Sequence, residues 1–356
     1  MSSVHILTFH RALNYGAVLQ CYGLYKTVLK IQNNCDVIDY RADCIEKRYR
    51  VIHKNNSLKG FVKAVLTVPN VRIKRRKFNN FIRNNIKTTA TIKSQDNLSE
   101  ISWNKSDFYC VGSDQVWNLD LIECDTSFLL DFVPEGATKI SYAASIGTRI
   151  KPEWKEIFAN KLESFQSVSV REQTAQEQLE ECGVKSSVEI DPVFLLTKEE
   201  WVEKAKSVKN ESYILIYLLQ KADDFMNEAI KYAKKKGKKI VIISTGLKRQ
   251  YDAEYVSDCG PEEFLGYFNG ADTVFTNSFH GIAFSILLNK NFYYQLQGNN
   301  VKTNSRLLDI IKMFNLEQRH IDNIEKDDFI DYKEVNGVIE EKRKSAIKYI
   351  EQQITG

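Results

Sequence analysis

Short apolar runs alternate with longer amphipathic segments along both halves of the chain. The first run predicts a strand over residues 4–9, and a turn and a helix over 17–30 follow it. The same alternation resumes with the apolar run 212–219 and continues to residue 296. Short strands that alternate with helices are typical of parallel sheets covered by helices. The pattern therefore predicts an α/β fold with two Rossmann-like parallel-sheet domains.

The length of the chain also favours two domains, since 356 residues is long for a single hydrophobic core. We place the boundary between the two runs of strands, with an N-terminal domain at 1–193 and a second domain at 194–337. An amphipathic helix in the last segment, 338–356, is expected to pack back on the first domain. The two sheets are expected to face a central cleft.

Composition excludes several classes of protein. Hydrophobic content of 43% and charged content of 27% are those of an ordinary globular protein, and no apolar run is long enough for a membrane span. The first ten residues lack the pattern of a secretory signal. The seven cysteines contain no C-x-x-C pair, which argues against a disulfide framework or a zinc ribbon. We expect a cytoplasmic protein with no metal or cofactor, and a net charge of +4 does not suggest nucleic-acid binding.

The segment 272–281 contains the most informative residue. Its apolar run ends at Asn277 and Ser278, and His280 then lies where a strand gives way to a helix. Ligands of open α/β sheets bind at this position, helix N-termini attract anions, and an imidazole can transfer protons near neutral pH. The alternative is a histidine packed in a turn.

Polar side chains follow the predicted strands in both halves of the chain, where they would line the cleft. In the first half they are His10, Asn14, Gly16, the turn Gly112-Ser113-Asp114-Gln115, Arg171 and Asp191. In the second half they are Asn277, Ser278, His280, Lys302 and Arg306. The cationic members would hold an anionic substrate.

Three positions in the first half of the chain allow two interpretations. Asp114 is either a general base or a turn former. Arg171 either binds an anion or forms an ion pair with Glu172 or Asp191. Trp117, after the same turn as Asp114, either stacks on a sugar ring or packs in the core.

The run 72–77, which contains five basic residues, also has two interpretations. It is either a solvated helix face or a surface that meets an anionic membrane or a lipid-linked diphosphate.

Taken together, these motifs resemble the polysaccharide pyruvyl transferase family. The matching segments are Asn14–Gln20, Val111–Asn118, Ser141–Gly147, Ser169–Glu172, Asp191–Val193 and Ser278–Gly281, in family order across roughly residues 5–310. The resemblance implies a fold like that of GT-B glycosyltransferases. It also implies transfer of the enolpyruvyl group of phosphoenolpyruvate to a sugar as a pyruvate ketal. Acceptors in the family are cell-surface glycans, such as capsule or exopolysaccharide, or their lipid-linked precursors.

The resemblance also assigns roles to residues. Arg171 matches the donor-binding arginine of the family, and His280 matches its essential histidine. Ser278 stands where many members have arginine, so either Lys302 or Arg306 supplies the missing charge or the donor is bound differently.

We assign the acceptor to the first domain and the donor to the second. Acid–base chemistry is assigned to His280 together with Asp114 or His10. The donor-binding residues are Arg171, Asn277, Ser278, Lys302 and Arg306. The acceptor-binding residues are Asn14, Tyr15, Gly16, Ser113, Gln115 and Trp117. The alternative functions are a GT-B glycosyltransferase that uses a nucleotide sugar, and a non-catalytic glycan-binding relative.

Overall fold

A computed structural model describes residues 2–50, 58–209, 211–244, 249–298, 301–326 and 329–355, apart from the side chains of 58–66 and 301–303. The chain divides into two compact units. Unit 1 contains Met1–Tyr49, Ile82–Leu196 and Ile339–Gly356, and unit 2 contains Arg50–Phe81 and Thr197–Val338. The segment 50–81, predicted to belong to the first domain, is therefore grouped with the second.

Unit 1 is built on a parallel sheet. Its strands are β1 (Val4–Leu7), β2 (Cys35–Val37), β3 (Phe108–Val111), β4 (Thr138–Ser141), β5 (Ser169–Val170) and β6 (Ser187–Val188). Its order is β2-β1-β3-β4, and the β5–β6 pair continues it through bridges from Ile140 to Ser167 and from Ala144 to Val170. Because β2 and β3 lie on opposite sides of β1, the point where the strand order reverses is the β1–β3 gap.

The helices of this part of the chain are α1 (Tyr15–Ile31), α2 (Asp43–Arg48), α3 (Leu58–Asn85), α4 (Gln95–Ser99), α5 (Pro152–Leu162) and α6 (Gln173–Glu180). Three of them, α2, α3 and α4, lie between β2 and β3 in the sequence. Helix α1 packs closely on the chain after Asp191, since a Cβ at Gly23 would lie 2.4 Å from the carbonyl oxygen of Pro192. That segment, Pro192–Leu195, is a 3-10 helix.

Unit 2 carries a second parallel sheet, of order β11-β10-β7-β8-β9. Its strands are β7 (Tyr213–Tyr217), β8 (Lys239–Ile243), β9 (Glu254–Val256), β10 (Ala271–Thr276) and β11 (Asn291–Tyr294). Its helices are α7 (Lys198–Lys204), α8 (Asp223–Lys235), α9 (Pro261–Gly270), α10 (Phe279–Leu287) and α11 (Val301–Met313). Here the strand order reverses between β7 and β10.

The last helix, α12 (Tyr332–Thr355), begins in unit 2 and joins unit 1 from Ile339 onward. Within unit 1, Arg343 donates to the carbonyl oxygens of Phe194 and Leu196 at 2.8 and 3.1 Å. The hydroxyl of Tyr349 donates to the carbonyl oxygen of Ser141 at 3.2 Å. The predicted packing of the C-terminal helix on the first unit is confirmed.

Candidate functional site

In unit 1, two of the predicted loops meet where the strand order reverses. Asn14 caps α1, and its side-chain oxygen accepts a hydrogen bond from the Gly16 N–H at 2.9 Å. Ser113, Asp114 and Gln115 follow β3 directly. Since β1 and β3 are parallel neighbours, both loops leave the same edge of the sheet. Ligands of doubly wound folds bind at this edge.

Asp114 has a left-handed backbone conformation, with φ of 78°. Its Oδ1 accepts from the Gln115 N–H at 2.8 Å, as a turn-forming aspartate does. Among the described residues, its second carboxylate oxygen has no hydrogen-bond partner, and the residue is half-buried. Asp114 therefore forms the turn and also keeps an oxygen that could accept a ligand hydroxyl.

Arg171 lies in a buried charged cluster at the end of β5. Its guanidinium donates to Asp191 at 2.5 Å, to Glu172 at 3.4 Å and to the Ser113 hydroxyl at 3.3 Å. Burial alone would lower the pKa of Arg171, but the charges of Glu172, Asp191 and Asp114 raise it. Both ion pairs considered from the sequence are present, and only 2% of the Arg171 side chain is exposed. A direct role in donor binding stays a prediction.

His10 lies deeper than the sequence suggested. It is fully buried, its Nε2 is 3.0 Å from Asp39, and its Nδ1 donates to the Thr8 carbonyl oxygen at 3.2 Å. Arg11 and Arg41 bind the same carboxylate. Burial would raise the pKa of Asp39, but the hydrogen bonds from His10, Arg11 and Arg41 lower it well below its usual range. These contacts give His10 a structural role, and its part in proton transfer stays a prediction without support here.

Trp117 and Tyr15 belong to the interior of unit 1. Trp117 is fully buried, its indole N–H donates to the Phe128 carbonyl oxygen at 2.9 Å, and its ring contacts Phe158 edge-on. The prediction that Trp117 binds the acceptor is wrong, because the turn directs its ring into the core. Tyr15 is buried as well, whereas Gln115 is half-buried, and their acceptor-binding roles stay predictions.

Tyr49 is a candidate that sequence reasoning missed. Burial raises the pKa of Tyr49, and the nearby charge of Asp114 adds to the rise, while a hydrogen bond with Asn14 opposes it. Its hydroxyl therefore lies beside two predicted site residues. The only sequence signal is an aromatic residue after a short helix, which does not mark a site.

In unit 2, α10 begins where the second strand order reverses. Ser278 caps it by accepting from the Gly281 N–H at 3.3 Å. The first turn lies tightly on β10, since a Cβ at Gly281 would come within 2.1 Å of the Thr276 Oγ1. The helix starts at Phe279, so His280 lies within its first turn. His280 is half-buried beside the ring of Phe279.

Asn277 connects the two loops of this gap. Its side-chain oxygen accepts from the Leu219 N–H at 2.8 Å, and its amide group donates to the Gln220 carbonyl oxygen at 2.9 Å. The side chain is thus used to hold the loop after β7, and donor binding by Asn277 stays a prediction. Arg306 is half-buried on α11, and the side chain of Lys302 lies outside the described residues.

The basic run 72–77 is not a uniform surface. Lys74 is buried, which lowers its pKa to about 8. Lys77 forms ion pairs with Glu263 at 2.7 Å and Asp258 at 3.7 Å. Arg72 and Arg76 are exposed. At least two of the five basic residues are therefore used inside unit 2.

Two further findings concern the whole described part of the chain. No group of three or more histidine, cysteine, aspartate or glutamate side chains within it could hold a metal ion. None of its helices is long and apolar enough to cross a membrane.

Solved structures with the same fold include two UDP-GlcNAc 2-epimerases. The enzyme from Neisseria meningitidis, bound to UDP-GlcNAc, has a TM-score of 0.50 and 10% identity, with 100% of both chains covered. The enzyme from Methanocaldococcus jannaschii, in complex with UDP-GlcNAc and UDP, has a TM-score of 0.50 and 11% identity over the same coverage. At this identity the likeness concerns the fold alone, and it confirms the α/β, GT-B-like class of two Rossmann-like units.

Sequence comparison is more specific. The chain has no match among the curated proteins. The family model described as polysaccharide pyruvyl transferase matches residues 14–294, which include every motif quoted above. The chain therefore belongs to the polysaccharide pyruvyl transferase family.

Proposed function

We propose that this protein transfers the enolpyruvyl group of phosphoenolpyruvate to two hydroxyls of a sugar, forming a pyruvate ketal and releasing phosphate. The acceptor is a cell-surface polysaccharide or its lipid-linked precursor. The observation that carries the proposal is the position of His280, the family's essential histidine. It lies in the first turn of a helix that starts where the strand order of unit 2 reverses.

The reaction needs an acid, a base and an anion site. Protonation of the donor methylene makes C2 electrophilic, and a sugar hydroxyl then forms a C–O bond to C2. The C–O bond to phosphate breaks, and the second hydroxyl closes the ketal. The acceptor loses two hydroxyl protons. One makes up for the proton added to the donor methylene, which becomes a methyl group, and the other leaves with phosphate.

We assign the donor to unit 2. The N-terminus of α10 carries the positive end of the helix dipole, which favours the carboxylate and phosphate of phosphoenolpyruvate. Ser278 supplies no charge, so Arg306 and Lys302 on α11 are the cations we assign to the donor. His280 then delivers or accepts a proton beside the bound donor.

We assign the acceptor to unit 1, where Asp114 has an oxygen available and Asn14, Ser113 and Gln115 share the same edge of the sheet. A carboxylate can accept a hydroxyl proton as the hydroxyl attacks. The charges around Arg171 also suit this assignment. Asp114, Glu172 and Asp191 together outweigh one guanidinium, which disfavours a donor that carries both a carboxylate and a phosphate there.

The test is incubation with phosphoenolpyruvate and a panel of free and lipid-linked sugars, followed by mass spectrometry and phosphate release. Equal formation of ketal and phosphate is expected with at least one acceptor. Thermal unfolding provides a second measurement, since the true donor should raise the midpoint. Protection by a nucleotide sugar and not by phosphoenolpyruvate would favour a glycosyltransferase. Glycan binding with no turnover would favour a non-catalytic relative.

A lipid-linked acceptor would have to be reached at a membrane surface. We propose that the exposed Arg72 and Arg76 provide peripheral attraction to anionic lipid, at about 1 kcal/mol per basic side chain. Buried Lys74 and paired Lys77 are excluded from this role.

A further inference from the structure

A chain of buried hydrogen bonds lies beneath the unit 1 site. The Gln20 amide group on α1 donates to the Ala17 carbonyl oxygen at 2.8 Å and to the Thr8 hydroxyl at 2.9 Å. The Thr8 hydroxyl donates to the Ser113 carbonyl oxygen at 2.7 Å. Gln20 is fully buried and Thr8 is 1% exposed. Neither Gln20 nor Thr8 is among the site residues predicted from the sequence.

The direction of this chain is fixed by its first member. The Ala17 carbonyl oxygen can only accept, so Gln20 must present its NH2 group on that side. The Thr8 oxygen then accepts from Gln20, and its single hydrogen points to Ser113. Such one-way chains strengthen each member by polarisation. The loop after β3 is thus bonded to both β1 and α1.

The bonded carbonyl belongs to the peptide that precedes Asp114. On the other side, the Asp114 carbonyl oxygen accepts from the Ser145 and Val116 N–H groups at 3.0 and 2.8 Å. Both peptide planes that flank Asp114 are therefore held, which keeps its φ at 78°. A left-handed conformation at a residue other than glycine persists only where its surroundings determine it.

We infer that Thr8 is a positioning residue for Asp114 and that Gln20 supports it. Loss of the Thr8 hydroxyl frees the Ser113–Asp114 peptide to rotate toward a right-handed conformation, which turns the Asp114 carboxylate away from the acceptor. The inference rests on the proposed function only for its consequence in catalysis. The restraint of the loop after β3 by the Thr8 hydroxyl is present in the protein without substrate.

The test compares Thr8→Val with a matched control, Thr27→Val. Thr27 is also a 1%-exposed threonine, and its hydroxyl donates to the Gly23 carbonyl oxygen at 2.9 Å, away from the site. Hydrogen exchange of the Gln115 and Val116 amides, followed by mass spectrometry, is expected to accelerate about tenfold in Thr8→Val, as for loss of one buried hydrogen bond. It should stay unchanged in Thr27→Val, and Thr8→Ser should restore protection. Equal exchange in the two valine variants would overturn the inference.

Turnover separates this inference from the proposed function. Thr8→Val should lower kcat by about tenfold, while thermal protection by phosphoenolpyruvate is retained. Faster exchange with unchanged kcat would remove the catalytic consequence. Absence of ketal from the unaltered protein would contradict the proposed function, and the exchange comparison would still decide the hold on the loop. If Thr8→Val does not fold, Gln20→Met interrupts the same chain from its other end, with the same expected results.

Discussion

Replacement of Arg171 by methionine tests whether its guanidinium holds the protein together or holds a ligand. The substitution keeps much of the side-chain volume and removes the positive charge that pairs with Asp191 and Glu172. Two buried carboxylates would then remain without it, although Asp191 keeps the Val193 N–H at 3.0 Å and Glu172 keeps the Ser145 hydroxyl. Breaking a buried pair in this way costs about 3–5 kcal/mol.

Within that range, the structure indicates which contact matters most. The bond to Asp191 is short, whereas those to Glu172 are 3.4 Å and that to Ser113 is 3.3 Å. A loss near the lower end, about 3 kcal/mol, is therefore expected. A loss of that size is a large fraction of the free energy of unfolding of a typical domain, about 5–15 kcal/mol.

The assay is urea unfolding followed by tryptophan fluorescence in a Trp201→Phe background. The remaining tryptophans, Trp103, Trp117 and Trp154, all belong to unit 1, so the signal reports on that unit. The loss should shrink as the pH is lowered from 7 toward 5, because buried carboxylates without a counter-charge take up protons more readily. The unfolding free energy of Arg171→Lys, which keeps the charge but not the planar guanidinium, should lie between those of the unaltered protein and Arg171→Met.

A contrary result is well defined. A loss below about 1 kcal/mol, together with markedly weaker binding of phosphoenolpyruvate, would show that the guanidinium serves the donor. The ion pairs of Arg171 with Asp191 and Glu172 would then contribute little to stability, and the donor would have to be assigned to unit 1.

Other predictions concern three separate regions. His280→Ala should lower turnover by roughly a hundredfold or more with little change in thermal stability, and near-normal turnover would contradict its role in proton transfer. Neutralising Arg72 and Arg76 to glutamine should weaken binding to anionic vesicles by about 2 kcal/mol, roughly thirtyfold, whereas Lys74→Gln should not, and equal effects would refute the docking surface. Burial would lower the pKa of His5, but hydrogen bonds and charges from Asp36 and Asp107 raise it above 6.5. The stabilisation that His5 provides is therefore complete below pH 6.5 and is lost as the pH rises through the folded-state pKa. The difference in unfolding free energy between the unaltered protein and His5→Asn should therefore close as the pH is raised, and a constant difference would refute the pairing of His5 with these aspartates.

The hydrophobic pattern of the sequence was sufficient to predict the main architecture because both sheets are parallel and buried. The apolar runs of β7 and β8 are hidden on both faces, so they stand out in the sequence as continuous stretches. The rule does not extend past Pro192, where the apolar run 192–195 forms a 3-10 helix. It also missed the short edge strand β9, since Glu254 and Tyr255 carry little apolar signal.

The sequence was sufficient to place residues at the ends of strands but not to predict where their side chains point. His280 and Asp114 lie at the strand ends that the pattern indicated. By contrast, Trp117 turns inward, and the side chain of Asn277 is used by its own unit. Such outcomes depend on contacts between residues far apart in the sequence, which no local pattern encodes.

The assignment of 50–81 to unit 2 bears on how the chain folds as it is synthesised. Helix α3 leaves the ribosome before the residues it contacts, such as Ser257 and Glu263, have been made. Conversely, unit 1 receives its last helix, from Ile339 onward, only after all of unit 2 has emerged. Domains usually fold one after another, beginning at the N-terminus. Here neither unit can be completed before the other is largely translated. Helix α3 is therefore made long before the rest of unit 2, while residues 82–196 of unit 1 are synthesised in between.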